Sequence, residues 1–357
     1  MNGSAAAGLL EAPDDYAAVD LLHDLGCTDG LPVIVPTVER VAAMVLATGH
    51  DGDISFGAMG PGGGDATIRA IAANAVMAGC VPDLMPLVLA SVRAVLDPKF
   101  DLGEMQGTTH CTAPLLIVNG PLAQTCGVAS GFGALGPGFR SNASIGRALR
   151  LCMINIGGAR PGTSDMALLG HPGKFTFCLA ENEADSPFAP LHTTWGYAAD
   201  DSAVTVIGAE PPHSVLFVHD ADDGASPDRL LRVLAATIAN VGSNNINMSA
   251  GAVTVVLNID HAHVLHAAGY DRRSIADRLV ELAVHDADHV AQFNPSLGRP
   301  RSGPVQALQS AGDVLIAVAG GGGLYSVVMP SWAAGPHRNS AVHAKVETDQ
   351  ACAVPWA

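Results

Sequence analysis

The sequence contains no apolar stretch of the roughly 18 residues or more that a bilayer-spanning helix needs, so no transmembrane helix is expected. The segment from Met1 to Asp15 is acidic and not led by Lys or Arg, which gives no support to a secretory leader. There is no C-x-x-C pair. The seven cysteines (Cys27, Cys80, Cys111, Cys126, Cys152, Cys178 and Cys352) are odd in number and scattered, as reduced thiols are and a disulfide framework is not. A basic stripe and a run of base-stacking aromatics are also lacking. With 34 Asp and Glu against 18 Lys and Arg, the formal charge of -16 repels nucleic acid and anionic lipid. These absences point to a cytoplasmic protein with a small-molecule ligand and neither nucleic-acid nor membrane partners.

What is present is a long, apolar, small-residue-rich chain. At 357 residues, 48% hydrophobic and only 15% charged, it can bury more than one core. After an arm (1–50) in which Thr37 predicts a helix start running to about Ala47, similar patterns occur twice. An apolar strand ending in Gly, Ala and Pro occurs at Ile54–Pro61 and again at Val204–Pro211. Each is followed by an alanine-rich helix, about 66–78 and 228–241, in which Arg69, Ala72, Ala73 and Gly79 recur at the intervals of Arg232, Ala235, Ala236 and Gly242. Second strands follow at Leu115–Asn119 and Val253–Asn258. Further helices contain Ser144-Ile145 and Ser274-Ile275, and third strands are expected at Ile154–Gly158 and Ile316–Gly321. The expectation is an α/β fold of two diverged copies of a strand-helix-strand-helix-strand unit, related by internal duplication. Repeat 1 covers 51–160 and repeat 2 covers 202–330. A long irregular crossover (161–201) joins them, and 331–357 forms a C-terminal tail.

Several residues could carry chemistry. The glycine runs Gly60–Gly64 and Gly320–Gly323 follow apolar strands, and there the backbone amides of Gly321 and Gly322 could approach an anion. Neither run has dinucleotide-fingerprint spacing or a following Gly-Lys-Ser/Thr. His110 and Cys111 precede a buried strand; in extended backbone they point to opposite faces, and either could serve a site. Arg140 with Asn142, at a helix start after a glycine-rich loop, forms a candidate carboxylate clamp. Asn119, Asn244 and Asn245 could orient substrate polar groups. His171, Lys174, Glu181 and Asn182 belong to the densest polar cluster of an otherwise apolar chain, where proximity and burial can drive pKa values apart. His285 and His289, at i, i+4, could face one metal but read more simply as a solvated helix face, so no metal is assigned. The residues name no cofactor.

The segments Thr28–Val33, Ala73–Cys80, Ala113–Pro121, Gly170–Lys174, Cys178–Glu183 and Gly242–Asn245 resemble, in collinear order, the body of the UGSC (seleno)protein family. The resemblance implies thiol or selenol chemistry. The namesake motif, selenocysteine or cysteine followed by Gly-Ser-Cys, is absent here, so it implies either a separate small thiol subunit as partner or a redox-free reaction. His110 matches the family, whereas Cys111 stands where proline is expected.

The leading expectation is an enzyme of lyase or hydrolase type. It would make or break a carbon–heteroatom bond in a polar, carboxylate-bearing metabolite, with His110, Cys111, Lys174 and Glu181 catalytic and a homo-oligomer as the working form. A thiol-dependent oxidoreductase subunit and a non-catalytic ligand-binding protein are the alternatives.

Overall fold

The computed structural model describes residues 9–293, 295, 303–331 and 339–347. The arm consists of α1 (Asp15–Asp24) and α2 (Val38–Leu46); α2 starts where the Thr37 hydroxyl accepts the Arg40 amide, as its sequence predicts. A hairpin of β1 (Ser55–Met59) and β2 (Gly64–Thr67) leads into α3 (Ile68–Ala78), which ends at Gly79 in the left-handed conformation. Then come α4 (Met85–Leu96), α5 (Leu102–Gly107), β3 (Ala113–Asn119), α6 (Pro121–Thr125), α7 (Arg140–Asn155), β4 (Cys178–Ala180) and β5 (Ala203–Ala209). The remainder runs β6 (His213–Leu216), α8 (Ser226–Ile238), α9 (Asn244–Met248), β7 (Val253–Leu257), α10 (Ile259–Ala267) and α11 (Arg272–Leu282). It continues β8 (Val284–Asp286), α12 (Ala287–Phe293), β9 (Pro304–Gln306), β10 (Val314–Val318), β11 (Tyr325–Pro330) and β12 (Val342–Lys345).

Two four-stranded sheets, ordered β12-β5-β3-β4 and β6-β11-β7-β10, organise the chain. In the first, β3 is parallel to β4 and antiparallel to β5, which is antiparallel to β12. In the second, β7 is parallel to β10 and antiparallel to β11, which is antiparallel to β6. The strand directions therefore follow one pattern twice. Each sheet takes its outer strand from the segment that leaves the other: β5 runs on into β6 of the second sheet, and β11 into β12 of the first.

The sheets pack face to face with helices outside, and period-two alternation explains the burial. Leu115 and Ile117 of β3 meet Val256, Leu315 and Ala317 of the other sheet, while Leu116 and Val118 face a core shared with α3, α4 and α7. On the far side, Val253, Val255 and Leu257 pack beneath α8 and α11. Strands buried on both faces read as continuous apolar runs, and each fully buried Leu or Ile contributes about 1.5–3 kcal/mol.

Several expected boundaries differ. Ile154–Ile156 is not a strand: Ile154 and Asn155 finish α7 and Ile156 caps it, because Leu151, Cys152 and Ile156 continue a helical stripe into the first core. The strand parallel to β3 is instead β4, inside the expected crossover. Val204–Ala209 belongs to the first sheet, so it does not open the second lobe, and Ile54–Pro61 supplies the peripheral β1. The expected tail contributes β12, which pairs with β5; 332–338 and 348–357 lie outside the described residues, as do 1–8 of the arm.

Candidate active site

A cleft of about 590 Å³ opens between the arm, the C-terminal half of α7 and the loop from Ala159 to Phe175. On α7, Arg147, Arg150 and Ile154 fall on one stripe by their i, i+3, i+4 spacing. Arg147 fixes the arm through two bonds to Asp29, Nε to Oδ2 at 2.7 Å and a terminal nitrogen to Oδ1 at 2.8 Å. Arg150 reaches the other way to Asp165 Oδ2 at 2.9 Å. Asp165 is held in place by its own loop and by α5, since its amide donates to the Arg160 carbonyl and the Met166 amide to that of Gln106.

His171-Pro172-Gly173-Lys174 supplies the opposite wall. His171 precedes a 3-10 turn at Pro172–Lys174, and its Nδ1 accepts the Gly173 amide at 3.1 Å. Lys174 Nζ donates to Asp165 Oδ1 at 2.6 Å, so one carboxylate holds a cation on each oxygen. The side chains of Lys174, Arg150 and Asp165 are only 14%, 11% and 5% exposed.

Burial is the main force lowering the Lys174 pKa, with Arg150 acting in the same sense and Asp165 against it. Burial alone would raise Asp165, but Lys174 and Arg150 outweigh it and hold the carboxyl below its usual range. Burial also drives His171 down to about 4, helped by Lys174 and opposed by the Ala209 backbone and Glu210. That imidazole is neutral at physiological pH. Its ring lies beside the Ala209 backbone, yet the buried Nε2 closes no hydrogen bond.

Beside His171 and Lys174, and within reach of their charges, stand His110, Cys111 and Glu210. His110 Nε2 meets Glu210 Oε1 at 2.6 Å, leaving His110 Nδ1 buried without a partner. His110 Nδ1 and His171 Nε2 are thus the two imidazole nitrogens of this cluster that close no hydrogen bond within the protein. The Cys111 thiol is pushed up, by burial first and Glu210 second, so it is protonated at neutral pH and a weak nucleophile.

Of the expected site residues, His110, Cys111, His171 and Lys174 come together, and the others stand elsewhere in the fold. Glu181, expected to move protons, has no exposed side-chain surface and accepts from Arg272 (2.6 Å), Asn119 Nδ2 (2.7 Å) and the amides of Leu191 (2.6 Å) and Val318 (3.2 Å). A carboxylate so fully committed ties the lobes together and has no lone pair to spare. Asn119 also donates to Glu183, and Asn182 closes a turn onto Asp185. Arg140, expected to clamp a carboxylate, spends two nitrogens on the Gly79 carbonyl at the C-terminus of α3, where positive charge is favoured. Asn142 fastens the preceding loop through the carbonyls of Ala129 and Ala134, and β4 through that of Cys178.

In the second lobe, Asn245 binds the Gly251 carbonyl at 2.8 Å, and Asn244 is half-buried at the start of α9. Gly321 packs under Phe132 and Gly322 faces the Asp260 carboxylate, which also takes the Gly323 amide at 2.8 Å. An acid at that glycine run repels the anion the run was expected to bind. The rings of His285 and His289 stand 4.9 Å apart, and His285 Nε2 bonds the Ala239 carbonyl. Among the described residues no three His, Cys, Asp or Glu groups gather as metal ligands.

Arg150, Arg160, Asp165 and Glu210 were not singled out by the sequence pattern. Asp165, nine residues before Lys174, was the accessible signal; Arg150 resembles any helix-surface arginine until α7 is placed. Neither a protein-family model nor a curated protein matches the chain.

Proposed function

We propose that the chain is an enzyme of small-molecule metabolism, lyase or hydrolase in type, acting on a carboxylate-bearing substrate in the Lys174 cleft. The observation that carries this reading is Lys174 itself, an ammonium 14% exposed in an open cleft, beside a neutral imidazole with an unpaired nitrogen. Lys174 serves as proton donor, His171, whose ring proton sits on Nε2 because Nδ1 accepts the Gly173 amide, as a hydrogen-bond donor to the substrate, and His110, whose Nδ1 is unpaired while Nε2 faces Glu210, as the acceptor beside them. The charge of the lining supports an anionic ligand. Arg150, Arg160 and Lys174 stand against Asp29 and Asp165, and Asp29 is already neutralised by Arg147, so a net positive cleft sits in a chain of charge -16.

A panel of small hydroxy, amino and oxo carboxylates tests the proposal by thermal shift and turnover. Occupancy at about a hundredfold the Kd adds about 2.7 kcal/mol of stability. That gain is expected to vanish in Arg150→Met, and turnover in Lys174→Met and His171→Gln. A panel that neither stabilises nor reacts, or turnover unchanged in both variants, removes the proposal.

We also infer that the lobes are diverged copies of one unit. Support comes from the matching order and direction of β3, β4, β5 with β7, β10, β11, and from α7 and α11 each joining the parallel pair. On this reading the units end after β6 and β12, each lending its last strand to the other's sheet.

A further inference from the structure

We propose that Lys174 acts covalently, forming an imine with a 2-oxo or aldehydic carboxylate bound in the cleft. This rests on the cleft being a carboxylate-binding active site and names its substrate class and first step. The chain has 18 Lys and Arg, of which only Lys99, Lys174 and Lys345 are lysine. Where it needs a cation buried against a carboxylate, it uses arginine: Arg147 on Asp29, Arg272 on Glu181, and Arg150 on Asp165 itself. Arginine pairs with carboxylates through a planar fork and stays protonated, so it is the better residue for a purely structural bridge. Lysine on the second oxygen of Asp165 supplies what arginine cannot, an amine that can lose its proton and carry a lone pair.

The surroundings suit that chemistry. Burial and the Arg150 charge favour the neutral amine, and Asp165 remains as counter-ion whether the cation is an ammonium or an iminium. Lys99 and Lys345 are exposed, and Lys345 is paired with Asp201. In the step proposed, the Lys174 ammonium releases a proton and its nitrogen pair forms a C–N bond to the carbonyl carbon. The C=O π pair moves to oxygen, which takes up a second proton from the nitrogen, relayed through solvent, to give the neutral carbinolamine. The proton first released returns to that hydroxyl, water leaves, and the nitrogen pair closes C=N. Ammonium plus carbonyl gives iminium plus one water, with no oxidant or reductant. Hydrolysis of the iminium, the reverse of these steps, regenerates the lysine.

Borohydride reduction of the full chain with glyoxylate, pyruvate or 2-oxoglutarate, followed by peptide mapping, tests the step. Because burial and the Arg150 charge favour the neutral, nucleophilic amine at Lys174, labelling there is expected to exceed that at the exposed Lys99 severalfold. Lys174→Arg, which keeps the charge, is expected to abolish it, and the wild-type map stands independently of how that variant folds. Equal labelling of the lysines overturns the proposal. So does an oxo acid that binds by calorimetry without labelling Lys174, a result that leaves the carboxylate cleft standing; absence of both binding and labelling overturns the two together.

Discussion

Lys174 and Arg150 share Asp165, one on each carboxylate oxygen, at 2.6 and 2.9 Å. Both cations approach from different elements, so Asp165 is what lets α7 and the His171–Lys174 turn stand side by side. Asp165→Asn leaves two mostly buried cations facing each other, and is expected to cost about 3 kcal/mol, measured by denaturant unfolding. Because the Asp165 pKa is lowered on folding, its contribution is present above the ordinary carboxylate pKa and is lost as pH falls through the folded value. The deficit of the variant should therefore shrink in acid; a deficit that is constant with pH would show the ion pair to be irrelevant.

Glu181→Gln is expected to destabilise by about 3–5 kcal/mol, since it leaves Arg272 buried as an unpaired charge. Arg272 already stacks its guanidinium over Phe188 at 5.4 Å and bonds the carbonyls of Ile316 and Ala189. The double variant Glu181→Gln/Arg272→Met should cost less than the sum of its single variants. Additive costs in that cycle would contradict direct coupling.

Gly146→Ala reverses a familiar sign. In an open helix the change gains about 1 kcal/mol, but here a Cβ would collide with Thr176 Oγ1 and the Phe177 amide. A net loss of about 1–3 kcal/mol is expected, with the turn carrying Lys174 displaced. A stabilised variant would mean that α7 and residues 176–177 are not in close contact.

His171 and His343 both fall from an ordinary 6.5 to about 4, through burial. Unfolded, they take up protons near pH 6.5; folded, they resist until about pH 4. Their contribution to stability is thus present above pH 6.5 and lost as pH falls towards 4. Replacing either with Gln should flatten that decline, read from unfolding midpoints across the range. Ring-nitrogen NMR showing His171 protonated at pH 6 would refute the assignment.

Much of the scaffold was legible where local chemistry decides it. The Thr37 cap, the Ile68–Ala78 helix ending at Gly79, and the apolar runs of β3, β7 and β10 carry their own signals. Ile154–Ile156 misled because a β-branched pair before glycines resembles a strand end, whereas tertiary packing keeps it on α7. β4 is three residues long and lies next to the polar cluster, so nothing in its neighbourhood announces a strand. The site divided on the same principle. His171 and Lys174 are brought together by a turn four residues long, and both reach the cleft. Glu181 lies only seven positions further on, but its partners Arg272 and Val318 come from the other lobe. Sequence cannot tell a saturated carboxylate from a reactive one.

The exchange of outer strands has a mechanical corollary. Cutting the backbone between Leu216 and Ser226 would give two fragments, each owing a strand to its counterpart's sheet: β6 stays with the N-terminal piece but borders β11, and β12 belongs to the C-terminal piece but borders β5. Removal of the last described segment would bare the hydrogen-bonding edge of β5, an open template for another chain. Unfolding is accordingly expected to spread through both halves in one cooperative event, and the severed pieces to be soluble only when made together.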